Sequence, residues 1–100
     1  MIRIAIAALA LAASTAARAD AVAAGQAAAD VANTSFLTER CGGSPWPQTL
    51  RDAAVGEMLR GGMTAIVKVR RAQVEAQAKV DGVERVCAAL RNAYSNGRTP

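Results

Sequence analysis

The sequence contains no histidine. That removes the commonest general base, the commonest metal ligand and the side chain that titrates in the neutral range. Two cysteines are present but not as Cys-x-x-Cys, the spacing that lowers a thiol pKa at a helix start, so a thiol enzyme is only a minor alternative. Gly61-Gly62 lacks the following Gly-Lys-Ser/Thr of a phosphate-binding loop. The carboxylates offer only Asp52 with Glu57, and Asp81 with Glu84, as pairs. Paired acids for glycoside hydrolysis need a cleft between them, and zinc would have to be held by carboxylates alone. These absences predict a protein that is not an enzyme, with no catalytic residue, no cofactor and no metal site. Aromatic residues number three, Phe36, Trp46 and Tyr94, so little large apolar surface is available for a core.

What is present begins with an address. Arg3 forms a short basic segment, Ile4 to Ala13 an uncharged apolar run, and Ala17-Arg18-Ala19 a small-x-small cleavage site, with Ala19-Asp20-Ala21 as a second. A spanning helix needs about 20 apolar residues, and this run is about half that before Ser14 and Thr15 interrupt it. Residues 1–19 therefore read as a signal peptide, with the mature chain starting at Asp20 or Val22, and no stable membrane anchor is expected after cleavage. No cysteine follows either site, so no lipid anchor is expected. The product is predicted to be periplasmic or secreted.

Arg3 and Arg18 leave with this segment, and ten basic against eight acidic side chains remain, a net of +2. A charge so small, with acids spread among the bases, does not support nucleic-acid binding. The one local concentration is Lys68, Arg70 and Arg71, with Lys79 further along. It reads as solvated surface, or alternatively as a contact for an anionic envelope component such as lipid headgroups or polyanionic glycan.

About 80 residues remain, enough for one small domain over 20–97 with a marginal core and a frayed tail at 98–100. In an oxidising compartment Cys41 and Cys87 read as a single disulfide.

The fold class expected is all-α, a small bundle of three to four short helices stapled by that disulfide. Alanine-rich sequence from Asp20 to about Thr38 predicts a first helix whose stripe of small side chains buries little area and makes it the least firmly held element. Cys41-Gly42-Gly43 ends it. A second helix starts near Thr49, read as a cap with Asp52 in the first turn, and sets Leu50, Ala54, Met58 and Leu59 on one face. Gly61-Gly62 breaks it. Met63 to about Lys79 forms the next, with Met63, Ile66, Val67, Val74 and Ala78 inward, and Asp81 caps a new start. Val83, Val86, Cys87, Leu90 and Tyr94 then mark one face of the last helix, which places Cys87 on its buried side. The run Ile66 to Val69 has no partner to pair with as a strand.

Trp46, held between Pro45 and Pro47, has two readings: cover for the edge of the core, or an exposed partner anchor. One cysteine at the end of the first helix, one in the last helix and Tyr94 shortly after it resemble the small exported two-cysteine helical proteins of Gram-negative bacteria over residues 37–97. A more distant similarity is to the acid-stress periplasmic chaperones, which also pair two cysteines across a small helical domain. This chain differs from them in having no tryptophan beside its first cysteine and a weakly charged tail. The expected function is that of a non-catalytic periplasmic interaction or structural protein whose partner is an unidentified protein or envelope component. A stress or chaperone-like binder is the alternative.

Overall fold

Alanine is the strongest helix former, and no proline interrupts the chain before residue 45, so one helix extends through the whole first part. The structure is a computed structural model that describes the backbone of residues 2–95 and the side chains of residues 21–95. Helix α1 (Ile2–Arg40) is followed by α2 (Gln48–Arg60), α3 (Thr64–Asp81) and α4 (Val83–Tyr94), with no strand among the described residues. The fold is the expected all-α bundle. The side chains of the expected signal peptide and the tail at 98–100 lie outside the described residues.

Helix α1 is the hub, which corrects the expectation that it is the loosest element. It packs against α2, α3 and α4, most extensively against the first two. The cause is the small stripe itself: Ala24, Ala27, Ala28 and Ala32 are buried, and their size lets neighbouring backbones come close on several sides. Gly61 continues this logic, since a Cβ there would collide with the side chain of Ala24.

Helix ends are set by backbone geometry more than by the side chains the sequence suggested. Pro47, not Thr49, is the N-cap of α2, and no side chain caps it. Asp81 is the last residue of α3, and Gly82 is the N-cap of α4. Helix α2 closes in a Schellman motif. The N–H of Met63 bonds to Met58 O at 3.0 Å and that of Gly62 to Leu59 O at 3.1 Å, with Gly62 at a φ of 65° that favours glycine.

Two apolar clusters fill the bundle. One gathers Ala27, Ala28, Leu37, Trp46, Met58 and Tyr94; the other gathers Phe36, Val74, Ala78, Val86 and Cys87. Cys41 and Leu90 touch both. The Cys41–Cys87 disulfide thus sits where the clusters meet and ties the residue after α1 to the middle of α4, with a Cα–Cα distance of 5.5 Å.

Three inward assignments fail. Leu50 and Leu59 of α2 face solvent, leaving Ala54 and Met58 as its buried side chains, and Ile66 of α3 is exposed while Val74 and Ala78 are buried. In both helices the apolar residues spread over more than one face, and only the position of α1 selects which face is covered.

Candidate functional site

The polar side chains inside the bundle form one connected chain. Asp30, Asn33 and Thr34 on α1 are all buried. Thr34 donates to the carbonyl of Asp30, one turn back, at 2.7 Å, and so is satisfied within its own helix. The others bridge elements. Arg70 Nε of α3 donates to Asn33 Oδ1 at 3.2 Å, Asn33 Nδ2 to the Tyr94 hydroxyl at 2.9 Å, and that hydroxyl to Asp30 Oδ1 at 2.7 Å. Every donor points the same way, from guanidinium to carboxylate, an arrangement in which each bond polarises the next.

Burial pushes the Asp30 carboxyl above its ordinary range, and hydrogen bonds from Tyr94 and Gln26 offset this only in part. Tyr94 is likewise raised, first by burial and then by the bond it donates to Asp30. A carboxyl whose folded pKa is raised binds its proton more tightly in the folded state. Its contribution to stability is full below the unfolded value of 3.8 and is lost as pH rises through the folded value. Asp30→Asn keeps an acceptor for Tyr94 and removes the buried charge. The variant should melt a few degrees above the parent at about pH 7.5, and the gap should close by about pH 3. Circular-dichroism melts across that range check this, and a gap that widens in acid would show the sign to be wrong.

The basic cluster read from the sequence is divided by the structure. Arg71 is structural: it bonds Glu39 at 2.7 Å, Glu75 at 3.2 Å and Ser35 Oγ at 2.8 Å, and its guanidinium lies 5.4 Å from the centre of the Phe36 ring. Arg40 adds a longer pair to Glu75 at 3.7 Å. Arg70 is half-buried, anchored by Asn33, and lines a groove between α3 and α4. Lys68 is exposed. The three residues therefore do not form one patch: Arg71 turns to α1 and Glu75, while Lys68 and Arg70 lie on opposite edges of the outer side of α3.

That groove, of about 530 Å³, has Val74, Val86 and Leu90 as its floor and Arg70, Gln77 and Arg85 along its walls. A smaller one of about 230 Å³ between α1 and α2 is lined by Thr34, Ser35, Thr38, Glu39 and Arg51; the hydroxyls donate to backbone carbonyls of α1, Arg51 donates to Thr38, and Glu39 accepts from Arg71. Trp46 lies in neither. Its side chain is 5% exposed, with its ring edge-on to Tyr94 at 4.9 Å. The partner-anchor alternative for Trp46 is corrected accordingly, because the ring faces the core. Among the described residues no group of three or more acids or cysteines is placed to hold a metal ion.

Sequence reasoning passed over the Asp30–Tyr94–Asn33–Arg70 chain. Its only signal was three polar residues, Asp30, Asn33 and Thr34, within the alanine-rich stretch of α1. Fold and site together define a four-helix domain with one disulfide at the junction of its two apolar clusters. No protein-family model, curated protein or solved structure matches the chain.

Proposed function

We propose that this protein is an exported, non-catalytic interaction protein of the bacterial periplasm. The observation that carries the reading is the internal commitment of the side chains that chemistry would need. Both cysteines are joined to each other, Asp30 and Tyr94 serve the buried chain, and Glu39 and Glu75 hold Arg71. The disulfide supports an oxidising compartment, where such bonds persist. Among the described residues no helix is long and apolar enough to cross a membrane.

Cell fractionation with mass spectrometry tests the reading. The expected product is an exported chain beginning at Asp20 or Val22, with Cys41 and Cys87 unreactive to thiol reagents. A full-length chain with two free thiols in the cytoplasm would remove it.

The chaperone-like reading draws on the exposed Ile66, Val69 and Val80. It requires acid to open the fold, and the raised Asp30 carboxyl is one group that acts against such opening. Apolar-dye binding that rises between about pH 7 and pH 3 would shift the balance toward it.

A further inference from the structure

Helix α3 has a second apolar face, turned away from the bundle. Ile66, Val69, Gln73, Ala76 and Val80 recur at alternating steps of three and four residues, and all are exposed. Ile66 is 39% exposed, Val69 56% and Val80 81%, the last among the most open apolar side chains described. Ala65 and Ala72 widen the stripe, which carries no charge over about 22 Å at 1.5 Å per residue.

The borders of this face are basic. At about 100° per residue, Lys68 and Lys79 fall along one edge and Arg70 along the other. Arg85 of α4 stands across the groove from Arg70's helix. Glu75 lies just beyond the lysine edge, where its carboxylate is committed to Arg71 and Arg40. Asp81, at the C-terminal end of Arg70's edge, lines the groove with Arg70 and Arg85 and accepts a hydrogen bond from Gln77.

We propose that this face of α3 docks on an anionic phospholipid surface, which names the partner of the interaction protein inferred above and rests on that reading. Ile66, Val69 and Val80 would enter the boundary between headgroups and acyl chains, with the lysine stems lying along it and their ammonium groups at the phosphates. Lys68, Lys79, Arg70 and Arg85 supply the attraction to negative headgroups. Charge selects this occupant over a second copy of the chain. A two-fold antiparallel pairing through α3 sets like edge against like edge, bringing Lys68 and Lys79 of one copy along those of the other.

The test uses the protein as purified from the envelope fraction, with whichever terminus it carries there. It is sedimented with phosphatidylcholine vesicles with and without phosphatidylglycerol. Binding should require the anionic lipid and weaken with salt. Lys68→Glu with Lys79→Glu should lower partitioning by about tenfold or more, and Val69→Ser with Val80→Ser should lower it as well. Leu59→Ser, on exposed α2, should leave it unchanged. All of these positions are exposed, and unchanged circular dichroism confirms that the variants fold. Equal binding by the parent and the charge-reversed variant, equal binding to neutral vesicles, or a stable dimer that ignores vesicles would each overturn the proposal. Export and thiol state are read separately, so failure here leaves the reading above standing.

Discussion

Replacing both Cys41 and Cys87 with alanine is expected to lower the unfolding free energy by about 4 kcal/mol, the chain-entropy value for a loop of this size. The bridged residues are 46 apart in sequence, so opening the bond releases nearly the whole of α2 and α3 in the unfolded ensemble. A domain of this size has a net stability of only about 3–5 kcal/mol, so the loss is comparable to the whole. Cys87→Ser should cost more than the double alanine variant, because its hydroxyl would sit among Phe36, Val74, Ala78 and Val86. Urea unfolding of the oxidised parent, the reduced parent and both variants separates the two contributions. If reduction shifts stability by less than about 1 kcal/mol, the loop constraint is not what holds the clusters together.

The second large effect is expected at Trp46. Its ring fills the space between α1, α2 and the end of α4, in a cluster with Leu37, Met58 and Tyr94. Trp46→Ala should cost about 3–5 kcal/mol, through lost burial and the cavity left behind. Pro45 and Pro47 stiffen the loop that delivers the ring, and the backbone N–H of Trp46 donates to Ser44 Oγ at 3.2 Å. Among the described residues the indole Nε1 has no hydrogen-bond partner. Trp46→Phe should therefore cost much less than alanine, since it keeps an aromatic face for Tyr94 and removes a buried donor left unpaired. Blue-shifted emission from the parent is the companion observation. A water-like emission maximum, or an alanine variant as stable as the parent, would place the ring outside the core.

The arginine cluster shows why a site can be visible in sequence and still be misread. Lys68, Arg70 and Arg71 are close in the chain, but on a helix adjacent residues are about 100° apart. Arg71 turns to Glu39, Glu75 and the face of Phe36, whereas Arg70 turns to Asn33. Their partners on α1 are more than thirty residues away in sequence, so spacing alone carries no trace of them. Asp30 is a similar case. On an alanine-rich helix an aspartate reads as surface, and only the arrival of Tyr94 from the last helix makes it an interior acceptor.

Local chemistry was enough to determine the helical class, the breaks at Cys41-Gly42-Gly43 and Gly61-Gly62, the pairing of the two cysteines and the buried face of α4. Each of these depends on neighbours within a few residues, or, for the disulfide, on there being only one partner to choose. Tertiary structure alone decided that α1 is the hub, that Trp46 faces Tyr94, and which apolar face of α3 is covered. Helix α3 carries Val67, Val74 and Ala78 on one side and Ile66, Val69 and Val80 on another, and its periodicity supports either as the inward set. Helix α1 accepts the first of these, Val67 against the cluster of Ala27 and Ala28 and Val74 with Ala78 against Phe36, and leaves the second facing outward.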